Sequence, residues 1–181
     1  MPDAVAAPCR VGGSDSPASN TGRPDRERME TTRHFTATVY VVNDGAVALH
    51  EHKRLGILLP PGGHVDRGEL PHAAGLREVR EATGLDPTLL DDSPSITGPA
   101  GESLPTPRHT LLYDINEHDG EVGHQHIDLI YYAAADNRRI DPAEGEADAD
   151  AWDWYTAVDL RSSEVDEDVA TLGIEAVSAA E

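Results

Sequence analysis

An α/β fold is predicted by three features of this 181-residue chain. β-branched runs are joined by a hairpin signal, a helical apolar period opens after a Pro-Pro-Gly-Gly break, and a second helical period closes the chain. With 38% hydrophobic residues over this length, one modest core can form, so one domain is expected.

The first run, His34 to Val42, is β-branched and aromatic, and Asn43-Asp44-Gly45 carries the residues a tight turn needs before Ala46 to His50 returns. These read as paired strands. Leu55 to Leu59 is a short apolar strand that Pro60, Pro61, Gly62 and Gly63 end, delivering the chain into a loop. A helix follows, with Pro71 in its first turn and Gly84 at its C-terminal cap. Its apolar positions are Ala73, Leu76, Val79 and Thr83, spaced by three or four. Leu70 is a poor N-cap and Gly75 costs about 1 kcal/mol relative to alanine, so packing must hold this helix. Arg108 to Ile115, Gln125 to Ala134 and Trp152 to Tyr155 read as further strands, and Glu167 to Ala180 as the closing helix.

Residues 1 to 28 are rich in Pro, Ser, Gly, Asp and Arg with no apolar period, which predicts a disordered tail ahead of a domain over 29 to 181. Met29, at the head of the structured segment, is a candidate start of translation.

Composition narrows the function classes. Thirty-four acidic against 14 basic residues give a formal net charge of −20, which argues against a nucleic-acid polymer as partner, because that mode needs clustered Lys and Arg. Free nucleotides stay open, since cations can screen both partners. The acid excess and the single lysine, Lys53, fit a salt-rich cytoplasm, where molar salt shortens the Debye length to about 3 Å. Cys9 is the sole cysteine, so neither an internal disulfide nor a cysteine metal site is expected. No stretch is long and apolar enough to span a membrane, and Ala4 to Pro8 is too short for a signal-peptide core; a soluble cytoplasmic protein is expected.

The chemistry concentrates between Gly63 and Leu85. On a helix Glu78 and Glu81 project from one face, and two carboxylates that close are unfavourable unless a cation lies between them. Magnesium, a hard oxygen-seeking ion that also takes phosphate oxygens, suits such a pair, with manganese the alternative. Gly62-Gly63 would let backbone approach metal or phosphate, and Arg77 is spaced to clamp Glu69. An isolated Glu-x-x-Glu would be read as an ion-paired surface helix; the full constellation within 23 residues is far more specific.

Gly63, Glu69, Arg77, Glu78, Val79, Glu81, Gly84 and Leu85 together resemble the box of the Nudix family, G-x5-E-x7-R-E-U-x-E-E-x-G-U with U aliphatic. Ala82 stands where the pattern has its last glutamate. The flanking strands and Trp152-Asp153-Trp154-Tyr155 extend the resemblance over roughly residues 33 to 180. It implies an α/β/α sandwich around a mixed β-sheet and hydrolysis of a diphosphate linkage in a small nucleotide-like substrate. It also implies Glu78, Glu81 and the Gly63 carbonyl as metal ligands, with Glu69 and Arg77 as structural supports. Glu78 is then one candidate base, and Glu146 or its neighbour Glu144, in an acidic loop, another. The alternative is a nucleotide-binding sensor that has lost catalysis at Ala82.

His124, His126 and Asp128 alternate along a predicted strand and face one side of the sheet, where they read as polar residues bordering the substrate rather than as a metal site. Trp152 and Trp154 share a face and are assigned to packing. Asp148, Asp150 and Asp153 read as a solvated acidic face, without the glycine and spacing of a calcium loop.

Overall fold

Alternation along the first strand explains the layering. In the computed structural model, which describes residues 30–52, 56–118, 121–162 and 164–181, β1 (Thr32–Asn43) turns through Asp44 and Gly45, both at positive φ, into β2 (Ala46–His52). Two three-residue strands follow, β3 (Ile57–Leu59) and β4 (Gly62–His64), and then helix α1 (Pro71–Thr83). Short strands β5 (Thr88–Leu89), β6 (Thr97–Gly98) and β7 (Gly101–Glu102) lead to the long hairpin of β8 (His109–His118) and β9 (Glu121–Ala134). β10 (Trp152–Thr156) and α2 (Glu167–Ala179) end the order. The expected tail, Met29 and the first residue of the Leu55 to Leu59 strand lie outside the described residues.

The main sheet runs β10-β2-β1-β9-β5, with β3 on β2, β4 on β1 and β8 on β9. Only β1 and β9 pair in parallel among the described strands, so the sheet is mixed. Ala37, Val39 and Val41 of β1 join Ala74 and Val79 of α1 in one buried cluster; Tyr40 and Val42, on the opposite face, join Leu172 and Ala176 of α2 in another. A helix on each face of a mixed sheet is the expected α/β/α sandwich. None of the described helices is long and apolar enough to cross a membrane.

Two expectations need correction. The buried positions of α1 are Ala74, Gly75, Val79 and Thr83 rather than Ala73 and Leu76 with the last two. Gly75 explains the rotation: a Cβ there would come within 2.8 Å of Val39 Cγ2, so the helix sits on β1 at a distance only glycine allows. Gly62 and Gly63, expected in a loop, instead form β4, paired with Thr38 and Ala37.

Candidate active site

Helix α1 begins at Pro71 without a side-chain cap and ends at Gly84 (φ 71°). Between those ends its polar face gathers the acidic residues of the box around one cation. Arg77 Nε donates to Glu69 Oε1 at 3.0 Å and Nη2 to Oε2 at 3.2 Å, while Nη1 donates to Glu78 Oε1 at 2.8 Å and Glu81 Oε2 at 2.9 Å. Nη2 also reaches the His64 carbonyl at 3.1 Å, tying the helix to β4. One guanidinium thus offsets the mutual repulsion of three carboxylates. Its hydrogen bonds hold the Glu69 carboxyl below the usual glutamate range, and Glu69 in turn holds the Arg77 proton more tightly.

The Glu78 carboxylate lies against the backbone of β4. A Cβ built on Gly63 would meet Glu78 Cδ and Oε1 at 2.4 Å, so glycine leaves the carboxylate its present place against the strand, a reason different from the open approach expected. Beyond Glu78 opens a cleft of about 560 Å³ whose wall includes Gly62, Ala82, Glu146 and Trp152. Glu146 reaches this wall because its loop is tied to the end of α1: Asp141 N donates to Thr83 O and Ala143 N to Glu81 O, each at 2.8 Å. Gly84 permits the approach, since a Cβ there would lie 2.5 Å from Asp141 O. Glu144 and Glu146 are both exposed on this loop, and of the two it is Glu146 that lines the cleft.

The residues singled out from the sequence are therefore distributed as follows. Gly63, Glu69, Arg77, Glu78 and Glu81 form one connected group, and Glu146 borders the same cleft as Glu78. Sequence reasoning missed His50 and His52, which line this cleft from the end of β2. Among the described residues, their Nδ1 atoms and Trp152 Nε1 are buried without a hydrogen-bond partner. His50 stacks on Trp152 with ring centroids 4.6 Å apart, and burial lowers its pKa, with His52 adding to the effect, so a neutral imidazole faces the cleft. The His-x-His spacing on a strand was the available signal. Trp154 packs as expected, its indole donating to Arg138 O at 3.3 Å.

A second cavity, of about 440 Å³, opens on the α2 side of the sheet and shares Leu59, Pro60 and Gly62 with the first. Its wall includes Tyr113, His126, Asp128 and Asp168. Asp128 is buried, accepting from Thr36 Oγ1 at 2.9 Å and Thr38 Oγ1 at 2.8 Å. Burial raises its pKa despite those bonds.

The model of the NUDIX domain matches residues 32–172. A hydrolase of the NUDIX family from Clostridium perfringens superposes with a TM-score of 0.70 at 32% identity, covering 83% of this chain and 99% of that one. A MutT protein from Methanosarcina mazei (TM-score 0.57, 12% identity, 84% and 98% covered) and an Ap4A hydrolase of C. elegans (0.54, 18%, 82% and 98%) share the fold. No curated protein matches the sequence.

Proposed function

The chain belongs to the NUDIX family of hydrolases, and on that premise we propose that it cleaves a diphosphate linkage in a small nucleotide-like substrate with the help of magnesium. The observation that carries this reading is the convergence of Glu69, Glu78 and Glu81 on Arg77 beside Gly63, at the mouth of a cleft bordered by Glu146.

The donor set fits the ion. Glu78 and Glu81 are oxygen donors already gathered about one positive charge, and the Gly63 carbonyl belongs to the backbone against which Glu78 lies. Glu78, Glu81 and that carbonyl would hold magnesium, or manganese, which when bound supplies charge against the diphosphate and acidifies water at the site. The protein's own residues do the rest. Arg77 and Glu69 fix the loop against the helix so that the Glu78 carboxylate keeps one position. Glu146, projecting from a tethered loop, accepts the proton of the attacking water, with Glu78 the second candidate for that role. The adjoining cavity has room for the nucleoside part, with Tyr113 as an aromatic wall and Asp168 as an acceptor for amino groups.

We read the acid excess as adaptation to a salt-rich cytoplasm. The test of the activity is phosphate release from a panel of ADP-ribose, dinucleoside polyphosphates and oxidised nucleoside triphosphates, with magnesium in molar potassium chloride. Cleavage that needs magnesium and collapses in Glu78→Gln supports the enzyme and identifies its substrate. A second reading, the nucleotide sensor, is favoured by one observation, that an alanine lines the cleft where the family pattern has a glutamate. Nucleotide binding without cleavage of any panel member would establish it instead.

A further inference from the structure

Four of the nine histidines lie together, and the backbone carbonyl of one of them, His64, accepts from Arg77 of the glutamate cluster. His34 comes from β1, His64 from β4, and His124 and His126 from β9. The register brings them to one face of the sheet: His34 is opposite His126, Thr32 opposite His124, and His64 opposite Thr36, two residues from His34. The rings close a circuit, with centroid separations of 4.6 Å for His34–His124, 5.0 Å for His124–His126, 4.9 Å for His126–His64 and 5.4 Å for His64–His34.

We propose that His34, His64 and His124 form a binding site for a first-row transition-metal ion of the zinc type, distinct from the magnesium site at Glu78 and Glu81. One ring nitrogen from each of the three lies within 4.8 Å of the other two. Zinc–nitrogen bonds of about 2.0–2.1 Å place tetrahedral donors about 3.4 Å apart, so the three nitrogens, within 4.8 Å of one another, close by at most about 1.4 Å. Exposed His34 and His64 can make that adjustment by side-chain rotation. The donor type selects the ion: neutral imidazoles suit zinc, copper, nickel or cobalt, whereas magnesium and calcium prefer oxygen.

The surroundings of His124 suit a ligand. Thr32 Oγ1 lies 2.8 Å from His124 Nδ1 and 3.3 Å from the Gly123 carbonyl. With the hydroxyl donating to the carbonyl, its lone pair accepts from Nδ1–H, which leaves Nε2 unprotonated for the metal. That hydroxyl is the partner which orients a ligating imidazole. Asp128, the nearby carboxylate on β9, is already committed to Thr36 and Thr38, leaving the cluster a nitrogen site. An ion held here ties three strands together on the β4 side of the sheet, one residue from Gly63.

The experiment is calorimetric titration of the full chain with zinc at neutral pH in excess magnesium, which occupies oxygen sites. One zinc ion per chain is expected, with binding kept in Glu78→Gln and in His109→Gln, and weakened at least tenfold in His34→Ala and in His124→Ala. Circular dichroism checks that each variant folds. If the variants misfold, ring-nitrogen magnetic resonance of the unaltered chain decides, with the signals of His34, His64 and His124 moving together as zinc is added. Absence of binding, binding unchanged by both histidine substitutions, ring signals that stay put, or binding lost in Glu78→Gln alone would overturn the site.

Discussion

Gly62→Ala and Gly63→Ala add the same methyl to adjacent residues of β4, and the structure predicts opposite consequences. At Gly63 the new carbon would sit 2.4 Å from Glu78 Cδ and Oε1, against an ordinary contact of about 3.5 Å. The obstacle is the tip of a flexible side chain, so the carboxylate retreats by about 1 Å while the backbone stays. Folding loses only the Arg77–Glu78 ion pair, partly exposed and worth no more than about 1 kcal/mol. For a chain of this size that is a fall in Tm of roughly 2–4 °C. Activity is another matter, because a displacement of about 1 Å at a reacting centre can cost on the order of 100-fold. At Gly62 the carbon would meet Ala37 O and Thr38 Cα, both at 2.9 Å, and these are backbone atoms of the paired strand. Relief there means pulling β4 off β1, an overpacking cost of roughly 1–3 kcal/mol. Magnesium-dependent phosphate release and thermal unfolding, measured on both variants, separate the two effects. Full activity in Gly63→Ala, or a larger stability loss there than in Gly62→Ala, would refute the assignment of Gly63 to Glu78.

Arg77→Met removes the cation shared by Glu69, Glu78 and Glu81 and should cost roughly 2 kcal/mol in urea unfolding with chelator present, part of it recovered when magnesium is added; equal loss in both conditions counts against the shared-cation picture. Asp128 holds its proton longer folded than unfolded, so its contribution to stability falls as pH rises from the ordinary carboxylate range through its raised pKa. Asp128→Asn should therefore be more stable than the parent at neutral pH and little different below about pH 3, where both forms are neutral; a less stable variant at pH 7 would show that the ionised form is needed by Thr36 and Thr38. Thermal midpoints should rise between low and molar potassium chloride, and equal midpoints would exclude salt adaptation as the meaning of the acid excess. Ala82→Glu places a carboxylate in the cleft and should tighten magnesium binding several-fold by calorimetry; unchanged affinity would mean that position 82 does not face the ion.

The elements were legible because local chemistry and tertiary packing agree in them. Asp44-Gly45 can adopt positive φ, Pro71 and Gly84 bracket α1, and alternation in β1 divides residues between two cores. The register of α1 was not legible, because counting apolar residues treats Gly75 as a defect, while in the fold it faces Val39 with no room for a Cβ. The glutamate group was recognisable from spacing within a single segment. His50, His52 and Trp152 were not, since β2 and β10 are a hundred residues apart in sequence and only their pairing, Trp152 opposite His50, brings them to the cleft. The same holds for the four histidines: His124 and His126 announce a shared face, but His34 and His64 join them only through the parallel pairing of β1 with β9 and the antiparallel pairing of β4 with β1.

That dependence on pairing bears on the alanine at position 82. On α1, residue 82 is one turn beyond Glu78 and lines the same cleft. Directly after it the chain delivers its carbonyl groups to the acidic loop, through Thr83 O to Asp141 N, while Glu81 O on the other side accepts from Ala143 N. The loop is therefore fastened to the helix on both sides of Ala82, and the acid it carries, Glu146, borders the space that a longer residue at 82 would enter. With glutamate at both 82 and 146, more anions would line a cleft already bordered by Glu78, which strengthens its attraction for a divalent cation. Ala82 and Glu146 thus line one cleft, and the proposed proton acceptor is carried by a loop fastened on both sides of the position where the helix lacks its box carboxylate.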